Sequence, residues 1–192
     1  MDALERVLSQ GDAAAFIVEH IQGEAGVIVP HEGYLKGAEK LCRQHGALLI
    51  IDEIQTGMGR TGKLFCCEYE GIEPDILCLS KSLGGGVMPI GAMMTTDKIW
   101  RKAYGTLETC LLHTSTFGGN SRACACGIAA LNTLIEKDWI RNARVQGEYL
   151  LEQLKSLQKR FSILEEVRGK GLMIGMRFVR LRGKSPSLEG AL

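Results

Sequence analysis

The stretch that decides the fold runs from Leu48 to Gly86 and reads LLIIDEIQTGMGRTGKLFCCEYEGIEPDILCLSKSLGGG. Two short apolar runs, at 47–52 and 76–79, predict buried strands. The first run ends at Asp52, and Lys81 follows the second run by two residues. Burying an unpaired carboxylate or amine costs several kcal/mol, so two charged groups at neighbouring strand ends need a partner or a ligand.

An acid and an amine at neighbouring strand ends match the needs of one cofactor, pyridoxal phosphate. Its aldehyde binds a lysine as a Schiff base, and an acid keeps its pyridine nitrogen protonated. Taken singly, Lys81 could extend into solvent and Asp52 could cap a helix. However, sites in parallel sheets form at the carboxyl ends of the strands, where Glu24, Asp52 and Lys81 all fall, and Gln55 belongs to the same group of candidates. The sequence therefore predicts a pyridoxal-phosphate site at this edge of the sheet.

The periodicity of the first two thirds of the chain predicts alternating strands and helices. The predicted strands cover 13–19, 47–52, 76–79 and 89–95. A helix over 34–44, with apolar residues at helical spacing, is predicted between the first two strands. This order predicts an α/β fold with a mostly parallel sheet and crossover helices.

The chain changes character after Asn120. Two helices are predicted over 122–137 and 140–160, followed by two strands, 163–168 and 172–179, around a glycine turn. We expect a large domain over 1–134 and the start of a small α+β domain over 135–192. The tail 181–192 shows little periodicity and is expected to be loosely structured.

Composition and charge favour a folded protein and argue against nucleic-acid-binding and membrane-spanning classes. Of the 192 residues 45% are hydrophobic, which predicts a folded chain with a sizeable core. A net charge of +1 gives no electrostatic reason to bind nucleic acid or an acidic membrane surface. No apolar run approaches the roughly 20 residues of a membrane span, and residues 1–6 show no secretory signal. We expect a cytoplasmic protein whose partners are small molecules.

Seven cysteines are spaced irregularly along the chain. They form no C-x-x-C pair, and the chain has four histidines, so no zinc site is predicted. An odd number without a framework indicates reduced thiols of a cytosolic protein. We interpret them as residues that fill the core.

A glycine-rich stretch at 57–62, GMGRTG, matches the dinucleotide-binding pattern G-x-G-x-x-G. That pattern requires a helix to begin inside the glycines, and the following residues show no helix start. With Lys63 the stretch also resembles a P-loop, but Leu64 stands where serine or threonine must bind magnesium. Neither nucleotide-binding interpretation is favoured.

Five motifs, in order, resemble the class III (ornithine-type) aminotransferases of pyridoxal-phosphate fold type I. They are EHIQGEAG at 19–26, LIIDEIQTGMGRT at 49–61, PDILCLSKSLGGG at 74–86, HTSTFGGN at 113–120 and VRGKG at 167–171. The nearest relatives are expected among the putrescine, ornithine and acetylornithine enzymes, and the run CLSKSLGGGVMPIGA at 78–92 most resembles the putrescine branch. The resemblance implies part of the large domain of that fold, followed by the start of its small domain.

The resemblance also implies a role for each candidate residue. Lys81 would bind pyridoxal phosphate and move a proton during the reaction, and Asp52 would keep the pyridine nitrogen protonated. Gln55 would hydrogen-bond the 3′-oxygen of the cofactor. Thr116 would reach the phosphate of the cofactor in a neighbouring subunit, which implies a homodimer. Glu24 matches an acid that pairs with a substrate-binding arginine.

The implied function is transamination, which moves an amino group from a diamine or ω-amino acid to a 2-oxo acid. Family members are more than twice this length, and their phosphate-binding loop and substrate-carboxylate arginine have no counterpart in the sequence. We therefore expect a truncated form or partial reading frame with impaired activity. Two alternatives stay open: another class III reaction of the same cofactor, and a non-catalytic remnant that associates with an intact subunit.

Overall fold

The computed structural model describes residues 1–179 as a four-stranded sheet with helices and a separate two-stranded hairpin. The helices are α1 (Asp2–Leu8), α2 (Tyr34–His45), α3 (Asp97–Tyr104), α4 (Ser121–Glu136) and α5 (Trp139–Arg160). The strands are β1 (Ala15–Glu19), β2 (Leu48–Asp52), β3 (Ile76–Leu79), β4 (Ala92–Thr95), β5 (Leu164–Lys170) and β6 (Met173–Phe178). Two 3-10 helices cover Cys66–Tyr69 and Lys81–Gly84. The predicted loose tail, 181–192, lies outside the described residues.

The first sheet has the strand order β1-β2-β3-β4. Strands β1, β2 and β3 are parallel, and β4 pairs antiparallel with β3. Helix α2 makes the crossover from β1 to β2 that a parallel pair needs. The predicted α/β class with a mostly parallel sheet is therefore confirmed.

The core lies between α2 and the sheet. Helix α2 buries Leu35, Ala38 and Cys42, which are spaced three and four residues apart on one face. Leu35 and Cys42 belong to one cluster with Leu49 and Ile51 of β2. The strand anchored by this core, β2, ends at Asp52.

The second half of the described chain consists of α4, α5 and the antiparallel hairpin β5–β6. The Asn120 side chain caps α4 by accepting from the backbone N–H groups of Arg122 and Ala123, both at 3.1 Å. Helix α5 packs along the hairpin, and α4 packs against the 3-10 helix that begins at Lys81. The division into domains at 134/135 stays a prediction.

Two helices of the structure had no counterpart in the sequence prediction. Helix α1 is seven residues long and inserts Leu8 into the core beside α2. Helix α3 is eight residues long and has no buried residue. Both are too short for the spacing of apolar residues to repeat, so periodicity gives little signal for them.

The cysteines divide by burial. All seven are free thiols, and Cys42, Cys66 and Cys67 are buried as predicted. Burial raises the pKa of Cys66 and of Cys67 to about 12, so both thiols stay protonated. The interpretation as core residues is wrong for Cys110, whose side chain is exposed.

Among residues 1–179, no helix combines the length and the apolar character that a bilayer crossing requires.

Candidate active site

The two charged residues that the sequence singled out lie at one edge of the sheet. Asp52 is the last residue of β2 and stands level with Glu19 of β1 and Cys78 of β3. Lys81 follows the end of β3 by two residues and opens a 3-10 helix. Because β2 and β3 are parallel neighbours, their carboxyl ends place the acid and the amine at the same edge.

The Asp52 carboxylate is half-buried and held by its own turn. Its Oδ1 accepts a hydrogen bond of 2.9 Å from the backbone N–H of Ile54. Burial, with a smaller contribution from the negative charge of Asp52, raises the pKa of the neighbouring Cys78 thiol. The carboxylate is thus presented at the strand end in a fixed orientation.

Lys81 has an unusual backbone conformation. Its φ of 46° lies in the left-handed region, which residues other than glycine adopt infrequently. Such a conformation costs on the order of 1–3 kcal/mol and is found most often at functional sites. The side chain of Lys81 is exposed, so its amine is accessible to a ligand.

A cavity of about 370 Å³ brings Lys81 and Gln55 together. It is lined by Val27, Ile54, Gln55, Arg60, Lys81, Ser82, Leu172, Met173 and Ile174. The last three belong to the turn and second strand of the β5–β6 hairpin, so both halves of the chain build this cavity. Its volume falls in the range of small-molecule sites.

Gln55 is held in the cavity by Glu24. Its Nε2 donates a 2.8 Å hydrogen bond to Oε1 of Glu24, which lies 31 residues earlier in the chain. A Cβ at Gly23 would overlap the Gln55 amide, so glycine at this position leaves room for the amide where it now lies. A primary amide has a second N–H donor, which leaves Gln55 able to bind a ligand as well.

Thr116 is not among the residues that line this cavity. It lies in the segment 105–119 between α3 and α4, where its side chain is exposed. The structure therefore brings Gln55 and Lys81 together, with Asp52 at the same sheet edge and Glu24 bound to Gln55. The role implied for Thr116 toward a neighbouring subunit stays a prediction.

Glu53 is a structural residue of the site that sequence reasoning did not single out. Only 1% of its surface is exposed, and its carboxylate accepts from the Thr56 hydroxyl and, at 2.7 Å, from the backbone N–H of Cys67. Its own backbone C=O accepts from the Gly57 N–H at 2.9 Å. These bonds close the turn that carries Gln55, and burial raises the pKa of Glu53. Two adjacent acids after a strand were the signal available in the sequence.

The glycine-rich stretch at 57–62 packs closely against helix α5. It forms turns rather than the start of a helix. Gly62 has a φ of 90°, and a Cβ there would lie within 2.8 Å of the Arg144 Cβ in α5. The dinucleotide-binding pattern requires a helix that begins inside the glycines, and the structure has none at 57–62.

Comparison with known proteins decides the family. A family model described as aminotransferase class-III matches residues 1–186. The chain belongs to the class III aminotransferases. The resemblance inferred from the five motifs is therefore confirmed.

Solved structures of class III aminotransferases and related transaminases have the same fold. The ornithine aminotransferase from Toxoplasma gondii ME49 is 42% identical, with a TM-score of 0.87 over 93% of this chain and 41% of that one. The acetylornithine aminotransferase from Elizabethkingia anophelis is 41% identical, with a TM-score of 0.89 over 97% of this chain and 46% of that one. A thermostable (S)-enantioselective omega-transaminase from Thermomicrobium roseum is 37% identical, with a TM-score of 0.87 over 93% and 40%. The chain thus spans less than half the length of these relatives.

The class III aminotransferases depend on pyridoxal phosphate, as the sequence predicted for the cofactor. Another structure of the Toxoplasma gondii enzyme is described with partial occupancy of this cofactor at its active site. The groups in the present chain fit the aldehyde and the ring of pyridoxal phosphate. They are the exposed amine of Lys81, the anchored amide of Gln55 and the oriented carboxylate of Asp52.

Proposed function

We propose that this chain supplies the catalytic lysine region of a transaminase that moves an amino group from a diamine or ω-amino acid to a 2-oxo acid. The observation that carries the proposal is the cavity at the sheet edge, where Lys81 and Gln55 share one lining and Asp52 ends the neighbouring strand. The similarity to ornithine and acetylornithine aminotransferases supports this class of amino donor. A donor of the putrescine type is part of the same proposal.

Each residue of the site has a distinct task in this proposal. Pyridoxal phosphate, when bound, supplies an aldehyde and an electron-withdrawing ring. Lys81 presents the amine that binds the aldehyde and, once released, accepts and donates the proton at the substrate carbon. Asp52 holds a proton on the ring nitrogen, and Gln55 binds the ring oxygen with the N–H that Glu24 does not use. Glu24 holds Gln55 and would also pair with a substrate-binding arginine, as the resemblance implies.

The same proposal includes a homodimer whose interface contains the segment 105–119. Four large apolar side chains of this segment are exposed, namely Leu107, Leu111, Leu112 and Phe117. Several exposed apolar side chains in one segment favour a protein partner. Thr116 lies within this segment and would contribute to the phosphate site of the partner subunit. The seven free thiols support a cytoplasmic location.

The test is a titration of the purified chain with pyridoxal phosphate, followed by borohydride reduction and peptide mapping. We expect the absorbance band typical of a Schiff base between pyridoxal phosphate and a lysine. After borohydride reduction, peptide mapping should find the attached cofactor on Lys81. Lys81→Ala should abolish the band, whereas Lys98→Ala, which removes an exposed lysine of α3, should retain it. A label spread over many lysines, or retained in Lys81→Ala, would contradict the assignment of Lys81.

A product assay distinguishes transamination from other reactions of the same cofactor. Incubation with ornithine or putrescine and 2-oxoglutarate should release glutamate and an aldehyde in equal amounts. Carbon dioxide release without glutamate would indicate a decarboxylase. The chain can also be mixed with an intact homologue. If the chain is inactive alone but changes the size of the homologue's assembly, the interpretation as a non-catalytic remnant is favoured.

A further inference from the structure

Arg168 of β5 forms hydrogen bonds with the loop that carries Glu24, although about 140 residues separate them. Its Nη2 donates to the backbone C=O of Gly26 at 2.6 Å, and its Nε donates to that of Val27 at 3.0 Å. The Arg168 side chain is only 16% exposed. One guanidinium therefore binds two successive carbonyl groups in a mostly buried position.

A second residue of the hairpin, Glu166, orients the Arg168 guanidinium. Glu166, two residues earlier on β5, accepts from Arg168 Nη1 at 2.6 Å and balances its charge. Charge-assisted hydrogen bonds of this kind are stronger than neutral ones, and the planar fork of arginine can bind several acceptors at fixed angles. Lysine at this position could not bind both carbonyl groups in the same geometry.

The loop gripped by Arg168 is a closed turn. The N–H groups of Gly26 and Val27 both donate to the C=O of Gly23 at 3.0 Å. Glu24 lies inside this turn, and its carboxylate accepts from Gln55 at 2.8 Å. The carbonyl groups bound by Arg168 are therefore two and three residues from the acid that holds Gln55.

The hairpin also forms a wall of the same cavity. Leu172, in the β5–β6 turn, donates its backbone N–H to the C=O of Arg60 at 2.9 Å and lines the cavity with Met173 and Ile174. Val27, whose carbonyl Arg168 binds, lines it as well. A movement of the hairpin would therefore change the loop and the cavity together.

We propose that Arg168 is a positioning residue of the candidate active site: it fixes the 23–27 turn so that Glu24 holds Gln55 in the cavity beside Lys81. The chemical consequence, binding of the cofactor ring by Gln55, rests on the proposed function. The structural step, from Arg168 through Glu24 to Gln55, is independent of it. The two parts are tested by separate measurements.

The structural step is tested by ¹H–¹⁵N NMR of the cofactor-free 192-residue chain. The side-chain NH₂ pair of Gln55 is assigned by its loss in Gln55→Glu, and Glu24→Ala gives its position without the acceptor. Arg168→Gln should move the pair at least half of the way to the Glu24→Ala position. Arg168→Lys, which keeps the charge, should give an intermediate shift if Arg168→Gln proves unstable.

Arg177 provides a matched control on the same hairpin. It pairs with Glu165 and Glu166 but is 56% exposed, and it makes no contact with the 23–27 turn among the bonds of the described residues. Arg177→Gln should leave the Gln55 signals in place. Equal shifts in both variants would indicate a general loosening of the hairpin and would overturn the proposal, as would unchanged signals in Arg168→Gln.

The chemical consequence is tested by pyridoxal phosphate affinity. Arg168→Gln should weaken pyridoxal phosphate binding about tenfold, because it removes one strong hydrogen-bonded anchor of the 23–27 turn. Arg177→Gln should change the affinity less than about twofold. In the Glu24→Ala background Arg168→Gln should add little, because both act on Gln55. Full additivity in that background would overturn the route through Glu24. If the wild-type chain binds no cofactor, the proposed function fails and the NMR result alone decides the role of Arg168.

Discussion

The turn after β2 and the segment between α3 and α4 both carry predicted cofactor contacts, yet they differ in how they are held. Residues 53–57 are closed by the buried Glu53, which binds Thr56 and Cys67. Segment 105–119 exposes Leu107 to 96% and Phe117 to 78%. The first region is completed by contacts within one chain, whereas the second leaves apolar surface for a partner. Residues predicted for one site can therefore be held in two ways, by hydrogen bonds within the chain or by contact with a partner.

Removal of the Glu53 carboxylate should have the largest effect on the first region. Glu53→Ala leaves a buried hydroxyl and a buried N–H without an acceptor, so we expect a loss of about 3 kcal/mol in the free energy of unfolding. Glu53→Gln keeps an acceptor of the same shape and should cost about 1 kcal/mol. Urea unfolding measures both values. Equal, small losses in the two variants would show that this carboxylate does not hold the turn.

His20, which directly follows β1, offers a pH-dependent test of burial within one chain. It is 1% exposed, its Nδ1 has no hydrogen-bond partner among residues 1–179, and its Nε2 lies 4.0 Å from Glu70 Oε1. Burial, with a smaller contribution from the positive charge of Lys170, lowers the pKa of His20 to about 4. The unfolded chain therefore binds a proton at higher pH than the folded chain does. Stability from this group is complete above about pH 6.5 and is lost as the pH falls toward 4.

The measurement is the free energy of unfolding at pH 7 and at pH 4.5 for wild type and His20→Gln. Wild type should lose about 2 kcal/mol more than His20→Gln over this range. The difference between the two proteins is needed because the raised pKa of Glu53 acts in the opposite direction. His45→Gln, which removes an exposed histidine of α2, should follow wild type. Parallel curves for wild type and His20→Gln would contradict the lowered pKa.

Substitutions in the apolar segment 105–119 should change self-association rather than the free energy of unfolding. Phe117→Ser should weaken self-association about tenfold, with a change in the free energy of unfolding below about 0.5 kcal/mol. Phe161→Ser removes another exposed phenylalanine, at the end of α5, and should leave association unchanged. Sedimentation velocity over a concentration series gives the comparison. A monomer at every concentration, or equal effects in both variants, would remove the segment from the interface.

The parallel sheet could be predicted from the sequence because its strands are short apolar runs that end at charged or glycine-rich residues. The same runs placed Asp52 and Lys81 at one edge, which the pairing of β2 with β3 confirms. Helices α1 and α3 could not be predicted, since seven and eight residues give too few turns for a period. Cys110 and Cys42 have the same chemistry, and only their surroundings decide which one is buried.

The sequence by itself determined the family, the class of fold and the candidate residues of the site, because these depend on local patterns and on ordered motifs. Only the tertiary structure decided which of these residues act together. Glu24 and Gln55 are 31 positions apart, and Arg168 is more than 140 positions from the turn it binds. The first bond follows from the parallel pairing of β1 with β2, and the second from packing of the β5–β6 hairpin against the 23–27 turn. A linear pattern carries no record of that geometry.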